Sequence, residues 1–267
     1  MMKSKFSRNL NSLFVIAYRD ILKFLNDRAR IAATFIFPGV FIGILGYSFQ
    51  SNLGAEVPFN FLTFVFVGVL AQTLFQSAAS GIISLIEDRE NDFSQEIFIS
   101  PVSRYTIILG KILGESMVAL LQAFTIIVFA YIIRVPFAFE DILVLIPFMV
   151  IATLFGASFG VAVLSMLNSQ RSANQVFPFL VLPQFFLSGI FTPITELPAT
   201  LAILARVAPL TYIVDLFHGV VYAGEPQEVY DLLVLHPPWV NILVIIALFI
   251  VFLVMGTWIF IRKETNK

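Results

Sequence analysis

The chain has 267 residues, 59% of them hydrophobic and 12% charged, with a net charge of −1. A soluble domain of this length needs a charged shell, and a chain with a mean hydropathy of +0.93 cannot build one. It contains 30 phenylalanines and no cysteine, so disulfides, thiolate chemistry and Cys-ligated metals are excluded.

The first thirty residues are too polar, over too long a stretch, to be a cleavable signal peptide. They have helical periodicity. Leu10, Leu13, Phe14, Ala17, Ile21, Phe24 and Leu25 fall along one face, and Arg8, Arg19, Lys23, Asn26 and Arg30 along the other. Residues 1–30 therefore read as a cytosolic amphipathic helix lying in the membrane interface. Its basic face either meets anionic headgroups or serves only as a topology anchor, and both can hold.

Six runs beyond it are apolar enough, at about 20 residues each, to cross a bilayer as helices. They are 31–49, 61–86, 106–133, 142–167, 175–192 and 239–261. Fourteen basic residues flank them on the side of the N-terminus, against Arg134 and Arg206 on the other. By the positive-inside rule both termini face the cytosol. The expected fold is an all-α integral membrane protein with one transmembrane domain over 31–267.

Between the second and third runs, residues 87–111 concentrate charge: Glu87, Asp88, Glu90, Asp92 and Glu96 with Arg89, Arg104 and Lys111. Glu87–Ser100 can continue the second span as a helix with Phe93 and Ile97 on one face, after which Ser100–Pro101 reads as a cap and first helical residue. The residues alone leave a docking helix and an ordinary solvated loop equally open. Lys111 and Glu115, one turn apart near the cytosolic end of the third run, read as an intramembrane ion pair. Gly39/Gly43, Gly110/Gly114 and Gly156/Gly160 have the spacing of close helix packing within one chain. Pro178 and Pro183 should kink or unwind the fifth run.

The external stretch 193–238 is long and apolar. Leu197–Val207 and Pro209–Ala223 are each too short to cross, which reads as a re-entrant helix pair between spans five and six, broken at Ala208–Pro209. In its second half Tyr212, Asp215, His218 and Tyr222 share a face. Asp215 and His218 have the spacing of an acid–base or metal pair, but a local hydrogen bond facing water is the commoner arrangement. No Walker A loop, nucleophile elbow or metal motif is present: Gly110–Lys111 lacks the earlier glycine, and His218 and His236 stand apart. No catalytic residue, metal site or nucleic-acid partner is expected.

Two patches carry a family resemblance. EDRENDFSQEIFISPVSRYTIILGKIL and FFLSGIFTPITELPATLAILARVAPLTYIVDLFHGVVY resemble the signatures of the permeases of ABC-2-type transporters, in the same order. The resemblance implies the membrane half-transporter of an ATP-driven exporter in a bacterial cytoplasmic membrane. Segment 87–105 would dock a separate ATPase, with Glu87, Asp88, Arg89, Glu90, Phe93, Ile97 and Arg104 as contact residues. Two ATPase copies, holding the ATP and Mg, would work with a second permease chain, identical or related. This chain itself would hold no cofactor. The pair around Pro209, with Tyr212, Asp215 and His218, would close the path outside. Cargo would be an amphiphile such as a drug, a lipid or a lipid-linked glycan. The rival readings are an ion-gradient-driven carrier, which needs more midplane charge, and a membrane-embedded enzyme, which needs Asp215 and His218 to be essential.

Overall fold

The computed structural model describes residues 2–54, 57–90 and 103–265, and among these it is helical throughout, without a strand. Helix α1 spans Met2–Asn26 and α2 spans Arg28–Pro38. A π-helical stretch, Gly39–Gly46, continues α2 into α3, Tyr47–Leu53. Then come α4 (Phe61–Gly81), α5 (Ile83–Glu90), α6 (Arg104–Ile132), α7 (Phe139–Leu164) and α8 (Gln170–Leu187). The chain ends with α9 (Ala199–Val207), α10 (Pro209–Val221), α11 (Gln227–Leu233) and α12 (Pro238–Thr265).

Local chemistry sets these boundaries. Asp27, Asn60, Ser103 and Ser169 each accept a backbone N–H three residues on, at 3.0–3.1 Å, satisfying an end that has no intrahelical partner. Asp141 caps backward, its Oδ2 accepting from the Ala138 N–H at 3.0 Å. Pro209 occupies the first turn of α10, where its missing N–H costs nothing. Gly189, at φ +84°, makes the turn after α8 that a side chain would strain.

Among the described residues, five helices are long and apolar enough to cross a membrane: Arg28–Asn52, Phe61–Asp88, Arg104–Ile132, Phe139–Leu164 and Gln227–Lys263. The all-α membrane fold is thus as the composition requires. The fifth expected span is shifted and short. α8 starts and stops five residues before 175–192, and its first two turns, Gln170–Gln175, are polar. The apolar remainder covers only about 18 Å at 1.5 Å per residue. A count of six is reached if the bent pair α9–α10 is taken as one broken span. The helix also continues through Pro178 and Pro183, without the unwinding expected there.

The long helices differ in what surrounds them. In α4–α5, 89% of the apolar window is buried, against 17% in the last helix, so α4 is the core and α12 a peripheral wall. α4 packs on α6, α7 and α10, α12 packs on α7 and α10, and α1 lies along α6. Two of the three glycine pairs act as expected. A Cβ on Gly156 or Gly160 would stand 2.2 Å from the Phe75 carbonyl oxygen and 2.4 Å from that of Ala79, so α4 and α7 touch backbone to backbone. Gly110 and Gly114 receive Ile16 and Ala17 of α1. Gly43 faces open space, and this pair marks the π stretch rather than a helix crossing.

Overpacking a close crossing costs about 1–3 kcal/mol. Gly156→Leu is expected to lower the thermal midpoint and yield of detergent-purified chain, whereas Gly43→Ala leaves both near the parent. Equal melting of the two variants in a fluorescence-detected unfolding series would refute the backbone contact.

Candidate functional site

Two polar features stand out against the apolar body, and they adjoin. The first is a buried ion cluster where α1, α5 and α6 meet. Lys111 Nζ lies 2.9 Å from Asp20 Oδ1 and 3.2 Å from Asp88 Oδ2, and it donates to Ser84 Oγ at 2.9 Å. Arg19 and Lys23 of α1 also pair with Asp88. A second centre adjoins the first: Glu115 accepts from Arg30 of α2 at 3.2 Å and from Ser84 Oγ at 3.2 Å. Lys111, Asp20 and Glu115 are at most 2% exposed. Charges so buried persist only when paired and hydrogen-bonded.

This corrects two expectations. Lys111 and Glu115 do not pair with each other, because α1, α2 and α5 bring opposite charges to each of them separately. Nor is the basic face of α1 wholly turned to headgroups, since Arg19 and Lys23, with Arg30 just beyond, neutralise carboxylates of the protein. α1 buries Ala17, Asp20 and Phe24 against α6 and leaves Leu10, Phe14, Tyr18 and Leu25 exposed. Its apolar surface is therefore split between protein and surroundings. Asp20, overlooked in the periodicity, was signalled as the one acid in a 25-residue basic helix.

The second feature is a cleft of about 260 Å³ between α2, α4 and α6, with Arg30 at one end. Thr34 and Phe37 of α2, Gln72, Gln76, Ser77 and Ser80 of α4, and Gln122 of α6 line it. Gln72 and Gln76 bond to each other, and the buried Ser77 hydroxyl has no partner. A search for charges alone misses this lining. Its signal is the i, i+4, i+8 run Gln72, Gln76, Ser80 within an apolar span. Beside the cleft, Phe37 and Phe41 of the first long helix meet Phe185 of α8 and Phe191 just beyond it in tilted and edge-to-face contacts, with centroids 4.4–5.5 Å apart.

The expected docking residues are only partly in view. Phe93, Ile97 and the cap at Ser100–Pro101 lie outside the described residues. α5 carries Glu87 half-buried and runs to Glu90, so Arg89 and Glu90 continue that helix. The Asp88 carboxylate turns into the ion cluster. Arg104 donates toward the Ile261 carbonyl at 3.4 Å, tying α6 to α12.

The short helices α9 and α10 meet at 96°, with the break at Ala208–Pro209 as expected. The corner is closed by hydrogen bonds back to α9: Thr211 Oγ1 to the Ala205 carbonyl at 2.6 Å and the Tyr212 hydroxyl to the Arg206 carbonyl at 2.7 Å. Asp215 and His218 do not face water and do not meet. Asp215 accepts from the Leu235 N–H (2.6 Å), the His236 N–H (2.9 Å) and Asn241 Nδ2 (2.8 Å), anchoring the turn into α12. His218 stacks on Phe64 at 4.3 Å, its Nε2 3.2 Å from the Phe64 carbonyl oxygen. Such a divided pair suits a structural role. No group of three or more metal-binding side chains exists among the described residues.

Comparison with known proteins agrees with this architecture. A family model described as ABC-2 type transporter matches residues 11–222. The chain is 24% identical over 215 residues to a protein of Cyanophora paradoxa named as transport permease ycf38, covering 77% of this chain and 72% of that one. It is 30% identical over 139 residues to the Escherichia coli protein named as multidrug ABC transporter permease YbhR, covering 50% of this chain and 36% of YbhR.

Removing one partner of a buried ion pair costs about 3–5 kcal/mol, because the other is stranded. Lys111→Met is expected to destabilise the chain on that scale in detergent melts. Adding Asp20→Leu should restore most of the loss, since Asp88 keeps Arg19 and Lys23; a double variant no better than the single would discard the pairing. Asp215→Ala, which orphans two backbone N–H groups, is expected to cost about 1–3 kcal/mol for each orphaned group. Asp215→Asn, which still accepts, should cost less; equal melts for the two would deny the anchor.

Proposed function

The chain belongs to the ABC-2 type transporter family and is a multi-pass membrane protein, and from that premise we propose that it is the permease subunit of an ATP-driven exporter. It works with two copies of a separate ATPase that hold the ATP and Mg, and with a second permease chain, identical or related. It sits in a bacterial cytoplasmic membrane with both termini in the cytosol, and α1 rests its exposed apolar face in the inner leaflet. The basic-residue asymmetry supports that orientation.

The observation that carries the coupling is the tie at Asp88. Segment 87–105 follows directly on the span Phe61–Asp88, and the last residue of that span is held by Lys111, Arg19 and Lys23. A push on the docking segment therefore reaches α1 and α6 at once. Through Ser84 and Glu115 it also reaches Arg30, at the end of the polar cleft.

The cleft between α2, α4 and α6 is the protein-side wall of the translocation path. Its hydrogen-bonding groups are mostly uncharged, and phenylalanines adjoin them, which suits an amphiphile with a polar head and an apolar body. A drug, a lipid and a lipid-linked glycan all satisfy that description. YbhR is named as a multidrug permease, and this supports the first of them. The pair α9–α10 closes the outer end, its corner stiffened by Thr211 and Tyr212. Asp215 and His218 hold it in place and take no part in chemistry.

The test is co-purification of the tagged full chain in mild detergent with its ATPase. Recovery is expected with the parent and to fall about tenfold, the effect of roughly 1.4 kcal/mol, on Glu87→Ala with Glu90→Ala in a chain that melts normally. Unchanged recovery would place docking elsewhere, and no ATPase with the parent would reject the proposal.

A further inference from the structure

A larger cleft, about 820 Å³, opens at the opposite end of the long helices from the ion cluster. Asn60 and Thr63 at the start of α4, Asp141 at the start of α7 and Tyr222 at the end of α10 line it. Phe61–Asp88 places roughly 40 Å of helix between this end and Asp88. Three properties set it apart from an ordinary surface dip.

Its charge is one-sided. Asp141 and Glu225 line it, and no Lys, Arg or His does among the described residues. Asp141 caps α7 with Oδ2 alone, and its side chain lines the cleft. The second property is an unsatisfied donor. Tyr222 is 5% exposed and its hydroxyl, buried in the lining, makes no hydrogen bond. Burial, then the Glu225 and Asp141 carboxylates, push this phenol above its ordinary range, so it stays protonated. A buried hydroxyl without a partner costs free energy that an occupant supplying an acceptor would recover.

The third property is a pair of fixed aromatic walls. Phe137 stacks on Phe66 with centroids 4.8 Å apart, and Phe59 stacks on Phe61 at 5.6 Å. Ring faces held beside carboxylates attract cations and exclude anions. A metal ion fits poorly, since the volume far exceeds one ion and two carboxylates do not complete a coordination shell. A neutral ligand would gain no attraction from either carboxylate.

We propose that this cleft binds an amphiphilic organic cation. Its positive centre sits between Asp141 and Glu225, its apolar body lies against Phe59 and Phe137, and an acceptor group, where present, takes the Tyr222 hydroxyl. The site is distinct from the cleft between α2, α4 and α6 and does not depend on an ATPase docking at 87–105. On the proposed topology it faces outward.

The purified full chain in neutral maltoside detergent would be titrated calorimetrically with tetraphenylphosphonium and, separately, with the uncharged triphenylphosphine oxide. Tetraphenylphosphonium is expected to bind saturably and the uncharged compound at least about tenfold more weakly. Asp141→Asn keeps the cap acceptor and Glu225→Gln alters an exposed side chain, so both variants should melt like the parent. Each is expected to weaken the cation about tenfold, and the double variant about a hundredfold. Asp231→Asn, at an exposed position of α11, should change nothing. Equal binding of the uncharged compound overturns the proposal, as does undiminished cation affinity in the double variant. Should the double variant fail to fold, Glu225→Gln alone decides between the same outcomes.

Discussion

Everything else in this fold is arranged around the problem of holding charge inside an apolar body. Lys111 and Glu115 sit one turn apart on α6, and neither is solvated. Water cannot stabilise them there, so other helices must. Asp20 arrives on α1, Asp88 and Ser84 on α5, and Arg30 on α2. Four elements separated in sequence are thereby brought to one point. The requirement also explains why the charge-poor chain spends carboxylates and bases near that end.

The rest of the molecule is assembled by shape. Where α4 and α7 approach, glycines bring carbonyl oxygens into contact distance. Phenylalanine rings fill the seam between the first long helix and α8, and α12 closes the side. These contacts are apolar and undirected, and in hydrocarbon they gain little over contact with lipid. Registry therefore rests on the polar anchors: the cluster at Lys111, Asp215 on the turn before α12, and Lys263 on the Met166 carbonyl and Asn168 at the far end of α7.

Much of this was legible in the sequence, and the divide follows a physical line. Helix content, the amphipathic first helix and the break at Pro209 depend on hydropathy, periodicity and proline stereochemistry, which are local. The partners of Lys111 and Glu115 are not local: Asp20 lies 91 residues from Lys111 and Arg30 lies 85 from Glu115, while Ser84 and Asp88 come from a different helix. Nearest in sequence was the wrong guide to nearest in space. Asp215 failed in a different way. Its spacing to His218 reads as a local hydrogen bond facing water, but a helix in contact on nearly all sides gives each residue its own buried neighbour. The fifth span was misplaced because Ser188–Thr192 reads as a continuation of an apolar run, whereas Gly189 turns the chain there. The polar cleft is hard to read because its lining, apart from Arg30, is uncharged.

One feature of the first long helix bears on how the assembly moves. Between Gly39 and Gly46 the winding is π-helical, the class in which backbone bonds reach five residues back in place of four. An α-helix turns by about 100° per residue and a π-helix by less, so a change between the two windings would rotate one half of the helix against the other. Unlike a proline hinge, it removes no backbone N–H. Arg30 and Phe37 ride on one half and Tyr47 on the other. The helix beside the polar cleft thus changes its winding between Arg30 and Phe37, which line the cleft, and Tyr47, and this winding sets which side chains the wall presents.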